Sequence, residues 1–83
     1  MSRTRPIAFE NRDRYVALGL TIAYYRKLEG LTQMQLAEKA DISRGYMSAI
    51  EAPNMIVNVS LEVLFCIAKA LRVEPEKFLT FRD

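Results

Sequence analysis

Bond-making chemistry has little to work with in this chain. It holds no histidine, and Cys66 is its one cysteine. A Cys/His metal site needs more ligands than Cys66 supplies, and a single thiol cannot close an internal disulfide. No glycine-rich phosphate loop stands in the sequence, and no nucleophile has a base beside it. These features argue against an enzyme, a metal or a cofactor, and they leave binding chemistry. The net charge is +2, but it is unevenly spread: residues 1–50 carry eight Lys/Arg against five Asp/Glu, and residues 51–83 carry four against five. The positive first part suits a surface that faces phosphates. From charge alone, an ordinary solvated surface is an equal reading.

The stretch from Gln33 to Ala52, QMQLAEKADISRGYMSAIEA, is more specific. Two short helices joined across the break Asp41-Ile42-Ser43 place fixed demands on their residues. Leu36 must anchor the first helix in the core, and Ala37 must be small because the second helix crosses close above it. Ala40 packs near the corner, and Ile42 plugs the turn. Met47 and Ile50 hold the second helix to the body. Each demand is met in register, which is the pattern of a helix-turn-helix supersecondary unit.

The remaining elements must carry that unit. Leu18, Ile22 and Tyr25 fall on one face of a 3.6-residue period that starts near Arg14, and Tyr15 extends the face backward. Gly30 sits where a helix C-terminus takes glycine. Thr32, Ser43 and Ser60 are N-cap residues for the next three helices. Pro53 ends the third, since proline cannot continue a helix interior. In the fourth, Leu61, Leu64, Phe65, Ala68 and Leu71 mark the expected buried face, and Cys66 beside it reads as packing ahead of a redox switch. Pro75 suits the first position of a fifth short helix carrying Phe78, Leu79 and Phe81. No period-two strand, internal repeat or low-complexity tract is present. The expected fold is therefore all-α, a compact five-helix domain over residues 13–83. Residues 1–12 form an arm, in which Arg3, Arg5 and Arg12 follow no period and Ile7 and Phe9 offer apolar side chains for docking. No run approaches the roughly 20 apolar residues of a membrane span, and no apolar signal-peptide region follows the first arginines. The expected location is cytoplasmic.

With Leu31-Thr32-Gln33, Leu36-Ala37-Glu38-Lys39-Ala40, Ile42-Ser43-Arg44 and Ile50-Glu51 in place, followed by Leu61-Glu62, Leu64 and Ala68-Lys69-Ala70-Leu71, the chain resembles the phage repressor and Cro family of helix-turn-helix proteins, also called the xenobiotic-response-element family. The resemblance covers roughly residues 18–79. It implies that residues 44–52 form a helix entering the major groove of double-stranded DNA. By position, Arg44, Gly45, Ser48 and Ala49 then line the groove. Arg44 is the specificity candidate, because a guanidinium can donate two parallel hydrogen bonds to O6 and N7 of guanine. Gly45 gives close approach or is a tolerated weak position, and Ala49 touches a thymine methyl or merely avoids a clash. Gln33, Ser43, Tyr46 and Asn54 are the implied phosphate contacts, helped by the anion preference of helix N-termini. Arg26 and Glu51 match positions that the family pairs, and they are expected as a partly buried structural ion pair.

The chain departs from the family pattern at three places. Asp41 stands where the turn usually has glycine. Ala52-Pro53 replaces a basic residue and a glycine. The loop to the fourth helix is about two residues longer than the common one. Because the family binds paired half-sites about 34 Å apart, a homodimer is expected, with Met55, Ile56, Val57, Phe78, Leu79 and Phe81 as candidate contacts. The competing reading is a protein-interaction module, or an antitoxin-like partner protein, that keeps the fold without strong DNA binding.

Overall fold

A computed structural model describes residues 6–80. A 3-10 turn, Phe9–Asn11, runs directly into α1, Arg12–Leu28, which is followed by α2, Gln33–Ala40, α3, Arg44–Glu51, and α4, Leu61–Leu71. The chain then closes with a 3-10 helix, Pro75–Leu79. Every regular element among the described residues is therefore helical, with four α-helices rather than five. The last element is only five residues long and has proline at its start, and so short a segment settles on the tighter i→i+3 bonding of a 3-10 helix. Arg3 and Arg5 of the expected arm, and Phe81, lie outside the described residues.

Side-chain caps start the three helices that carry and follow the turn. Thr32 Oγ1 accepts from the Gln35 N–H at 3.1 Å, and Gln35 Oε1 accepts from the Thr32 N–H at 2.8 Å, a reciprocal capping box. Ser43 Oγ accepts from the Tyr46 N–H at 3.0 Å. Ser60 Oγ accepts from the Val63 N–H at 3.1 Å.

The ends of α1, α2 and α4 share one device. Each passes through a left-handed residue, Gly30 at φ 76°, Asp41 at φ 58° and Arg72 at φ 58°. The residue after it turns back to bond a carbonyl of the last turn: Leu31 N–H to Arg26 O, Ile42 N–H to Ala37 O, and Val73 N–H to Ala68 O. This is the Schellman pattern, which satisfies carbonyls that the helix end would otherwise leave bare. In all three cases the residue that turns back is apolar and packs on the core. Asp41-Ile42-Ser43 is therefore as short as its duties allow. Asp41 takes the left-handed conformation, Ile42 plugs the corner, and Ser43 caps α3.

Ile22, Leu36, Met47, Ile67 and Phe78 are fully enclosed at the centre, with Leu18, Ala37, Ala40, Ile50, Leu64, Ala68 and Leu71 around them. Two expectations need correction here. The buried face of α4 runs through Leu64, Ile67, Ala68 and Leu71, while Leu61 is 63% exposed and Phe65 49%. At 100° per residue Phe65 lies beside that face, and Leu61, at the first position of α4, projects past the edge of the core. Phe78 is fully buried, its ring 5.5 Å from that of Tyr25 in an edge-on arrangement, so it is a core residue and no dimer contact. Likewise Ile56 and Val57 are half-buried, with Val57 packed on the core, and only Met55 of that trio is exposed.

The left-handed residue at the end of α4 generates a prediction. A Cβ in that conformation costs about 1 kcal/mol, and the pair that Arg72 makes with Glu29 is exposed at the arginine and so contributes little. Arg72→Gly is expected to raise the unfolding free energy by about 1 kcal/mol. Urea denaturation checks this, and an unchanged or lower midpoint contradicts it.

Candidate nucleic-acid interface

The C-terminal end of α3 is held by a charged brace. Arg26, near the end of α1, donates from Nε to Glu51 Oε2 at 2.8 Å and from a terminal guanidinium nitrogen to Glu51 Oε1 at 3.0 Å. Its other terminal nitrogen donates to the Leu31 carbonyl at 2.7 Å. Glu51 Oε1 also accepts from the Gln33 side-chain amide at 2.9 Å. The Arg26 side chain is 12% exposed and that of Glu51 4%. One carboxylate therefore joins the end of α1, the first residue of α2 and the last residue of α3. A bidentate charge-assisted pair of this kind has directional as well as electrostatic strength. Among the described residues no buried side-chain nitrogen or oxygen lacks a hydrogen-bond partner.

A second constraint sits about two turns back along α1 from Arg26. Gly19 is buried in α1, and a Cβ placed on it would lie 2.1 Å from the Ile50 carbonyl oxygen and 3.2 Å from the Ile50 carbonyl carbon. Backbone therefore meets backbone where α1 crosses α3. Nothing in the periodicity of α1 singled out Gly19. The available signal was a glycine in line with the apolar face, one residue after Leu18.

The other end of α3 is open. Arg44, Gly45 and Ser48 are exposed, and Ala49 is half-buried. Arg44 takes part in neither ion pair found among the described residues. A Cβ on Gly45 would meet nothing within 4 Å, so no group of the chain itself requires the missing side chain. A helical glycine still costs about 1 kcal/mol relative to alanine.

The expected phosphate contacts divide. Ser43 is exposed and caps α3, and Asn54 is exposed in the turn after Pro53. Gln33 stands at the start of α2, but one amide hydrogen is committed to Glu51, a partner that sequence reading did not anticipate. The second amide hydrogen remains, together with the backbone N–H groups of Gln33 and Met34, which have no intrahelical acceptors, whereas that of Gln35 is taken by Thr32 Oγ1. Tyr46 does not reach outward as expected. Its hydroxyl donates to the Asn58 carbonyl at 2.5 Å, tying α3 to the loop that follows it, and burial pushes its phenol up from the usual range. Cys66 is half-buried against the core. Burial and the neighbouring Glu62 carboxylate push its thiol up, away from the thiolate that redox reactivity needs.

The fold and this arrangement have counterparts. A family model described as helix-turn-helix matches residues 22–78. The chain belongs to the helix-turn-helix family. The transcriptional regulator SinR of Bacillus licheniformis is 35% identical over 66 residues, which are 80% of this chain and 59% of that protein. The immunity repressor protein of Bacillus phage phi105 is 42% identical over 59 residues, 71% of this chain and 40% of the repressor. The chain thus spans only about half the length of these two relatives. A crystal structure of SinR, the master regulator for biofilm formation, in complex with DNA superposes with a TM-score of 0.71 at 35% identity, covering 76% of this chain and 98% of that one. In this helix-turn-helix protein the two helices of the motif are α2 and α3.

The two glycines on either side of the interface predict opposite outcomes for the same substitution. Gly19→Ala is expected to lower the urea midpoint sharply, because backbone rather than a flexible side chain must move, whereas Gly45→Ala is expected to raise stability by about 1 kcal/mol. The brace predicts a third result. Glu51→Ala leaves Arg26 buried without its carboxylate and is expected to cost roughly 3–5 kcal/mol. A loss below about 1 kcal/mol, the range of exposed pairs, would show that the pair is solvated.

Proposed function

We propose that this protein is a sequence-specific DNA-binding transcriptional regulator, a repressor, that acts in the cytoplasm as a homodimer and reads the major groove of duplex DNA with α3. The observation that carries the reading is the asymmetry of α3. Its C-terminal end is locked by Arg26, Gln33 and the Gly19 crossing, while its N-terminal face holds Arg44, Gly45 and Ser48 exposed and without internal duties. A helix that must place side chains on base edges needs its position fixed from behind and its front left unfilled.

In this reading Arg44 donates to a guanine, Gly45 lets the helix lie close, and Ser48 and Ala49 complete the base-facing surface. The first turn of α2 grips a phosphate through backbone N–H groups and the second amide hydrogen of Gln33, while Ser43 and Asn54 flank it. Tyr46 serves as a strut rather than a phosphate ligand. SinR in complex with DNA and a phage immunity repressor, both similar over most of this chain, support the assignment. An interaction module would offer the apolar loop Met55-Ile56-Val57 as its surface, and that reading loses ground because Ile56 and Val57 are half-buried.

Selection of bound sequences from a random duplex pool tests the proposal, with wild type and Arg44→Ala in parallel. A symmetric site enriched by wild type, with relaxed preference at one guanine and a loss of about 1–3 kcal/mol per half-site in the variant, is expected. Wild-type affinity should also fall steeply with salt. No enrichment at low salt, or binding indifferent to salt, overturns the reading in favour of a protein-interaction module.

A further inference from the structure

Resting on the DNA-binding reading, we infer that Tyr46 is a positioning residue: its hydroxyl holds the loop between α3 and α4 beside the base-facing surface and so presents the Asn58 side chain to the phosphate backbone on that side. The exposed face of α3 has two edges. At about 100° per residue, Arg44, Ser48, Gly45 and Ala49 span about 140° of the helix. Glu51 lies about 20° outside this arc at the Arg44 edge, and Tyr46 about 60° outside it at the Ala49 edge. Glu51 accepts from the Gln33 amide at the start of α2, and the Tyr46 hydroxyl donates to the Asn58 carbonyl in the loop. Each edge residue therefore fastens a neighbouring segment alongside the exposed face, α2 on one side and the loop on the other. A helix seated in the major groove, about 12 Å wide, has a phosphate backbone on each side of it. The start of α2 faces one backbone, and the loop faces the other.

The loop has little else to set its position. From Pro53 to Val59 its backbone makes two hydrogen bonds among the described residues. The Met55 N–H returns to the Ala52 carbonyl at 3.2 Å, which closes a turn within the loop itself. The Asn58 carbonyl takes the Tyr46 hydroxyl at 2.5 Å, and this bond alone reaches another element. Val57 and Val59 pack on the core, while Asn58 between them is exposed. That alternation turns the Asn58 side chain away from the protein. An amide on a segment pinned at both neighbours and at its own carbonyl can donate to a phosphate oxygen with little further ordering. The Tyr46 ring is half-buried and packs on the core. Phenylalanine at position 46 would keep that packing and remove only the tie.

The test compares wild type with Tyr46→Phe, Asn58→Ala and Gln33→Ala, and with the doubles that join Tyr46→Phe to each of the other two. Nitrogen-15 relaxation of the free proteins reads loop order without DNA. Order parameters of residues 54–59 are expected to fall in Tyr46→Phe, with those of α2 and α3 unchanged. On the selected duplex, Tyr46→Phe should lose about 3- to 10-fold in affinity per half-site and Asn58→Ala about 10-fold or more. The Tyr46→Phe/Asn58→Ala double should bind no more weakly than Asn58→Ala, whereas the losses of Tyr46→Phe and Gln33→Ala should multiply. Ethylation interference should show the same phosphate released in Tyr46→Phe and Asn58→Ala, across the groove from the one released in Gln33→Ala. The inference is overturned if Tyr46→Phe binds like wild type, if its loss multiplies with that of Asn58→Ala, or if the loop keeps its order without the hydroxyl. It is equally overturned if Tyr46→Phe weakens the phosphates on both sides together with the thermal midpoint, the mark of a merely structural role. Each of these leaves the DNA-binding reading standing, whereas a wild type that selects no duplex at low salt rejects both.

Discussion

Everything that α3 can do depends on one buried carboxylate. Glu51 ends α3, where the macrodipole disfavours negative charge, and it is almost wholly removed from water. Such a group is tolerable only when it is paired and its acceptors are filled. Arg26 supplies two hydrogen bonds and Gln33 a third. The guanidinium spends its remaining direction on the Leu31 carbonyl, which belongs to the turn entering α2. The brace therefore sets the relative positions of three helices through a single charge. Hydrophobic contacts alone would hold the same helices together, but they are non-directional and would fix their angles less sharply.

Apolar packing complements this constraint by bringing backbones unusually close. Where α1 crosses α3 the space left for a side chain on Gly19 is nil, and small residues, Ala37 and Ala40, serve the same end between α2 and the rest of the core. The helices are short, and α2 and α3 have only eight residues each. Isolated helices of that length are marginal in water. Their caps and Schellman ends satisfy the exposed termini, and the core supplies the stabilisation that propensity lacks. Asp41 and Arg72 accept left-handed conformations that glycine would adopt with less strain. The connections they make are sharp enough that the hydrophobic residue following each one drops straight into the core.

The division of labour along α3 follows from these restraints. Its inner residues, Met47 and Ile50, are buried, its last residue is bound by charge, and in the first turn, capped by Ser43, Tyr46 is tied to Asn58 while Arg44 and Gly45 are uncommitted. Gly45 lowers the intrinsic stability of that turn without any internal packing that demands it, and Arg44 projects from the same turn. A turn whose local choices disfavour stability, on a helix held in place by its buried face and its brace, departs from the consistency that the rest of the fold keeps.

The sequence by itself determined the local structure. Period, caps and breakers are properties of neighbouring residues, so Thr32, Ser43 and Ser60 marked their helices, the Asp41-Ile42-Ser43 break was legible, and Leu36, Ala37, Met47 and Ile50 could be placed inward without coordinates. The likeness to a family also brought Arg26 and Glu51 to notice as partners. Tertiary structure decided what depends on residues distant in the chain. Whether an apolar side chain is core or surface depends on which element covers it, so Phe78 turned out enclosed by α1 and α4 while Leu61 and Phe65 stayed outside. The targets of polar side chains were equally non-local. Gln33 found Glu51 across the motif, and Tyr46 found a loop carbonyl twelve residues on, because a hydrogen bond needs a partner within about 3 Å and only the assembled fold sets that distance. Gly19 shows the same limit. A glycine in a helical pattern reads as a weakness until the crossing of α1 over α3 reveals that no larger residue would fit.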